Sequence, residues 1–132
     1  MGSEWPSRKL KRRHRPMKGL VIYIRREKLD AVCAVLRRHN AAGFSVSNVE
    51  GCGRRKRQID IEDVAAIPAL EPEHLAAKLR VYTVVPDAVV DTLVDEICTA
   101  AATDRFGDGK IFIVPVEDAI RIRTRERGET AL

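Results

Sequence analysis

The chain has 132 residues, enough for one compact domain, and at 45% hydrophobic and 33% charged it has the composition of an ordinary globular protein. No apolar run approaches the ~18 residues of a membrane span, and Cys33, Cys52 and Cys98 are an odd, scattered set that fits neither a disulfide framework nor a metal-ligand spacing. The formal charge of +5 resides in residues 1–16, where six Lys/Arg face one acid; residues 17–132 carry 18 of each sign, so the basic balance belongs to an arm and argues against a nucleic-acid surface on the domain.

In chain order, residues 1–16 are polar, Pro-bounded and without periodicity, the pattern of a disordered basic arm. A solvated tail is its plain reading; electrostatic contact with an anionic membrane or nucleic acid is the other. The arm lacks the apolar stretch of a secretory signal, and unpaired cysteines suit a reducing compartment, so a cytoplasmic setting is expected. The domain then runs over 17–132. Lys18–Ile24 (KGLVIYI) is short, apolar and β-branched and predicts a strand. Leu29, Val32, Cys33, Val35 and Leu36 recur near helical spacing and predict an amphipathic helix over 27–40, stopped by Asn40 with Gly43 close behind. Phe44, Val46 and Val49 begin a second strand that ends at Gly51-Cys52-Gly53.

Residues 54–77 break this rhythm. They open with RRKR, pass through an acidic IDIED, and hold Pro68 and Pro72, which argue against one continuous helix or strand. An insert of this length is a functional loop by expectation, with Val64, Ile67, Leu70 and Leu75 spread around the prolines for burial on a partner. Lys78–Val85 (KLRVYTVV) alternates as a third strand, and Pro86-Asp87 starts a helix over 87–101 with Val89, Val90, Leu93, Val94 and Ile97 as its apolar stripe. Cys33 and Cys98 read as small core residues on these two helices. After the turn FGDGK come a fourth strand, Ile111–Val116, and a last short strand or turn at Ala119–Arg123.

The order βαββαβ predicts a ferredoxin-like α+β sandwich with both helices on one face of the sheet. Val21, Tyr23, Val81, Thr83 and Ile113 are expected on the other face, which self-association would cover. Two features suggest an anionic ligand. Gly107-Asp108-Gly109-Lys110 is a tight turn able to present backbone N–H groups beside a lysine, which suits a di- or triphosphate. Arg121 and Arg123 lie two apart and on a strand would share a face, where guanidiniums fit phosphate bidentately. Either feature alone is also read as an ordinary connection or a solvated strand. Gly51, Gly53 and Arg54 combine close backbone approach with charge in the same way.

Met17–Ile24 with REKLDAV behind it, GFSVSNVEGCGR at 43–54, VVPD at 84–87 and GDGKIFIVPVEDAIRIRTRERGE at 107–129 together resemble the PII signal-transduction family over nearly all of 17–132. The resemblance implies a homotrimer, with ATP or ADP in clefts between subunits and a protruding T-loop, here about 54–77, that docks on a protein target such as a membrane transporter. It implies that Ser45, Gly51, Gly53 and Arg54 come from one side of the cleft, that Gly107, Asp108, Gly109, Lys110, Arg121 and Arg123 complete it, and that Lys78 reaches the phosphates. The chain also departs from the family. Residues 54–77 contain no Tyr, Ser or Thr, so modification of a loop hydroxyl is chemically excluded. Arg55 stands where the family has a glutamine that helps hold Mg-ATP and 2-oxoglutarate; a cation there works against Mg²⁺, and weak or no 2-oxoglutarate binding is expected. Tyr82 replaces a glutamate associated with ATP.

No Ser-His-Asp plan, paired catalytic carboxylates or metal motif emerges around His14, His39 and His74, so binding rather than catalysis is expected. Three readings compete: an adenylate sensor regulating a transporter or enzyme of nitrogen or carbon assimilation, an assembly adaptor using the same trimer, and a slow nucleotide hydrolase.

Overall fold

The computed structural model describes residues 17–41, 43–51 and 76–132. The basic arm, and within the loop region Gly53, Arg54 and Arg55, lie outside the described residues. Strand β1 (Met17–Ile24) leads through a turn of 3-10 helix at Arg26–Lys28 into helix α1 (Leu29–Arg38) and strand β2 (Phe44–Gly51). Strand β3 (Ala76–Pro86), a second 3-10 turn at Asp87–Val89, helix α2 (Val90–Ala101) and strand β4 (Gly109–Val116) repeat the plan. The sheet order is β2-β3-β1-β4, and each neighbouring pair is antiparallel. This is the expected ferredoxin-like βαββαβ arrangement.

One face of the sheet is the core. Leu20, Ile22 and Ile24 of β1 and Leu79, Val81, Thr83 and Val85 of β3 are buried there, against Val32, Val35 and Leu36 of α1 and Val90, Leu93 and Ile97 of α2. Each such aliphatic side chain contributes about 1.5–3 kcal/mol on burial. The helices are joined at the surface as well: Glu96 of α2 accepts from Arg38 at 2.9 Å and meets His39 Nε2 at 2.7 Å. Hydrogen bonds from Arg38, then from His39, lower the Glu96 pKa. Helix α1 ends as its sequence asks. Asn40 takes a φ of 59°, and the amides of Asn40 and Ala41 return to Arg37 and Leu36 at 3.1 and 2.8 Å, closing the last turn.

Several expectations are corrected. Val81 and Thr83 belong to the core face, at 0% and 1% exposure, and not to the open one. Strand β3 carries large side chains on both faces, so its alternation cannot say which face is inside; Thr83 is accepted into the core because its hydroxyl donates to the Gly43 carbonyl at 3.0 Å. Ile113 pairs with Leu20 and so shares the helix-covered face, yet on the edge strand β4 it stays half exposed. Cys33 is buried, but Cys98 is exposed, one position past Ile97 and off the inward stripe. Of the two readings of Ala119–Arg123, strand or turn, the structure takes the turn. A single bridge, Ile120 to Arg127, closes a hairpin whose turn is held by Arg121 N donating to Glu126 O at 2.9 Å and Arg125 N to Arg121 O at 2.7 Å. Asp118 caps its base, accepting from the amides of Ala119 and Gly128 and from Arg127.

The open face of the sheet carries Gly19, Val21 and Tyr23 of β1, Lys78, Arg80, Tyr82 and Val84 of β3, Lys110, Phe112 and Val114 of β4, and Ser45, Ser47 and Val49 of β2. Among the described residues no helix covers it.

Candidate functional site

The site is built where β1 leaves the sheet and β4 enters it. Register places Ile24 opposite both Leu79 and Gly109. Just beyond this end of the ladder, Arg25 meets Asp108, and the Arg25 and Lys78 side chains both come close to Gly107. Arg25 donates twice: Nε to Asp108 Oδ1 at 3.0 Å and Nη2 to the Phe106 carbonyl at 2.6 Å. Lys78 Nζ donates to the Gly107 carbonyl. Two cations, one just past β1 and one from β3, thus hold carbonyls of the 106–108 turn.

Asp108 is the centre of this turn. Its carboxylate accepts from the Thr103 hydroxyl, from the Thr103 amide at 2.6 Å and from the Asp104 amide at 2.9 Å, in addition to Arg25. These bonds, the Thr103 hydroxyl first, hold the carboxyl well below the usual carboxylate range, against the opposing effect of desolvation. Gly107 (φ +91°) and Gly109 (φ +121°) take conformations that favour glycine, and at Gly109 a Cβ would fall 1.8 Å from the Tyr23 carbonyl oxygen. The turn GDGK is therefore split. Gly107 and Asp108 form the loop, and Gly109 and Lys110 begin β4. Beside it lies an open, mainly apolar cavity of about 330 Å³ between α2 and β4, lined by Val94, Ile97, Cys98, Ala101 and Ile111, with Asp108–Lys110 on its border.

Of the residues expected at a ligand site, the fold brings Lys78 and Gly107–Lys110 together. Gly51 is the last residue of β2, at the mouth of the segment leading to β3, and Ser45 is exposed on β2 opposite Tyr82. Gly53, Arg54 and Arg55 lie outside the described residues. Arg121 and Arg123 do not share a strand face. Arg121 folds back along the chain, donating to Leu132 O at 3.0 Å and lying 3.8 Å from Glu126, while Arg123 is exposed. Within one chain these arginines make no hydrogen bond or ion pair to the 107–110 turn. Arg25 and Thr103 are the residues the sequence reading missed. A lone arginine after a strand carries no motif, and its contact to Asp108 spans 83 positions.

Among the described residues no helix is long and apolar enough to cross a membrane, and no cluster of His, Cys, Asp and Glu is arranged to hold a metal. Comparison with known proteins agrees with the sequence resemblance. The family model for nitrogen regulatory protein P-II matches residues 17–126. Proteins of that description from Cereibacter sphaeroides and Nostoc punctiforme are 40% and 42% identical over 116 residues, covering 88% of this chain and all of each relative. Among solved structures, Arabidopsis thaliana PII bound to citrate matches with a TM-score of 0.69 and 29% identity, over 89% of this chain and 90% of that one. The chain belongs to the nitrogen regulatory protein P-II family.

Proposed function

We propose that the protein is a PII signalling subunit that binds ATP or ADP between the subunits of a homotrimer and reports the bound state to a protein target through the segment 54–77, with no catalytic step of its own. One observation carries this reading: Lys78, at the far end of that segment, is bonded directly to the glycine turn expected to cradle phosphate. A ligand at the turn then competes with the Gly107 carbonyl for Lys78, which couples the site to the start of β3. The apolar cavity beside a cationic turn suits an amphiphilic ligand with an aromatic base and a charged tail. The open sheet face supplies a surface for self-association, because Phe112 is 49% exposed there. The target class proposed is a transporter or enzyme of nitrogen metabolism, and the setting is cytoplasmic.

Citrate in the related plant structure supports a site that accepts small polyanions in general. With Arg55 in the segment, Mg-ATP-dependent binding of 2-oxoglutarate is expected to be weak or lost. Calorimetric titration with ATP, ADP, AMP and 2-oxoglutarate tests the reading. Saturable binding of ATP or ADP supports a sensor; a trimer that binds none of them is an assembly adaptor, and phosphate release on ATP would make it a hydrolase.

A further inference from the structure

The open face is divided along its length. At the end near Met17 it is apolar, with Gly19 between Val84 and Val114. At the end near the Gly107 turn it is cationic. Arg80, Tyr23 and Lys110 form one row across β3, β1 and β4, with Lys78 in the next row of β3. Adjacent strands lie about 4.8 Å apart, so the α-carbons of Arg80 and Lys110 are on the order of 10 Å apart across Tyr23. Within the paired strands this face carries no carboxylate; Asp108, at its rim, is already engaged by Arg25 and Thr103. Arg80 has no ion-pair partner among the described residues. Its guanidinium instead lies 5.5 Å from the ring centre of Tyr82, and Tyr82 in turn reaches across Gly19, where a Cβ would come within 2.9 Å of its hydroxyl and 2.8 Å of Val114. Among the described residues the ring-supported guanidinium is half-buried and has no counter-charge, a state that an anion relieves.

We propose that Arg80, supported by Tyr82, is a further anion-binding residue of this site, and that it extends the phosphate subsite across the open face for the distal phosphates of a di- or triphosphate. The inference rests on the nucleotide reading above, but it assigns a residue that reading does not use. The test is calorimetry of the full chain with ATP, ADP, AMP and inorganic triphosphate, using wild type, Arg80→Gln, Arg80→Lys and Tyr82→Leu. Arg80→Gln should bind ATP and triphosphate roughly tenfold or more weakly, with AMP changed less than about twofold. Arg80→Lys should recover part of the loss, and Tyr82→Leu should cost roughly two- to fivefold. If Arg80→Gln, or Arg80→Lys and Tyr82→Leu should the glutamine variant not fold, binds ATP and triphosphate as wild type does, the proposal is overturned while the nucleotide reading stands. Wild type binding triphosphate through Arg80 but no nucleotide would keep this anion site and sink the nucleotide reading. Wild type binding neither sinks both.

Discussion

The two faces of one sheet obey different rules. On the helix-covered face, Leu20, Ile22 and Val81 are fully buried, and the side chains are aliphatic almost without exception. On the open face the same strands carry Tyr23 edge-on to Phe112, with ring centres 6.1 Å apart, the Arg80–Tyr82 stack, and lysines at one end. The first face makes the fold, and its residues are interchangeable as long as volume is kept. The second mixes apolar side chains with aromatic and charged ones of specific geometry, the composition of surfaces that meet something else. A single strand therefore carries two messages in alternate positions: which way the chain folds, and what the folded chain meets.

That contrast can be broken most forcefully from the core side. Leu93→Ala removes a fully buried side chain of α2 and should destabilise the protein by about 2–5 kcal/mol in urea unfolding. Phe112→Ala, on the open face, should cost a single chain much less yet weaken self-association. Light scattering on wild type should give three chains per particle, with the Phe112 variant shifted toward smaller species. Equal losses of stability for the two variants, with no change in assembly, would erase the distinction between the faces.

A charged contact should matter less than a core side chain but more than a turn. If the hairpin arginines complete a phosphate site with a neighbouring copy, Arg121→Ala should lose about 1.5–3 kcal/mol of ATP affinity, a tenfold loss or more, at unchanged folding stability. The hairpin also offers a change in the opposite direction. Arg125 holds a φ of +63° at the turn, a conformation that costs a non-glycine residue on the order of 1 kcal/mol. Arg125→Gly should therefore raise the unfolding midpoint slightly, and a lower midpoint would mean that the Arg125 side chain contributes more than its backbone costs.

Much of this was legible in the sequence. Apolar β-branched runs, alternation and helical spacing located the four described strands and both helices, and the glycine turn was recognised with its lysine. What the sequence hid has physical causes. Strand β3 reads Leu-Arg-Val-Tyr-Thr-Val-Val, bulky on both sides, so its inner face was settled only by pairing with β1, and Thr83 was admitted by one hydrogen bond to a residue 40 positions away. Ile120–Thr124 alternates like a strand but turns back, because Asp118 fixes the hairpin base and Arg125 adopts a left-handed φ. Arg25 escaped notice because nothing local marks an arginine that braces a turn 83 positions on.

The smallest predicted effect is a pH dependence at that brace. Asp108 has its pKa lowered in the folded chain from an ordinary 3.8. A lowered folded-state value means the carboxylate adds stability above the unfolded pKa and loses that contribution as pH falls through the folded one. Acid unfolding of wild type should therefore steepen below about pH 4, whereas Asp108→Asn should start from lower stability at neutral pH and show a shallower acid limb. Arg25→Gln should show part of the same loss, since Arg25 ranks after the Thr103 bonds among the groups that hold the carboxylate charged.

The central claim is that the cationic end of the open face, with the Gly107 turn, receives the phosphates of an adenine nucleotide. Calorimetric titration of the assembled protein with ATP, set against Lys110→Ala, tests it most directly. The account predicts saturable binding to wild type and a loss of roughly tenfold or more in the variant. Undiminished ATP binding by Lys110→Ala, or none by wild type, would contradict it.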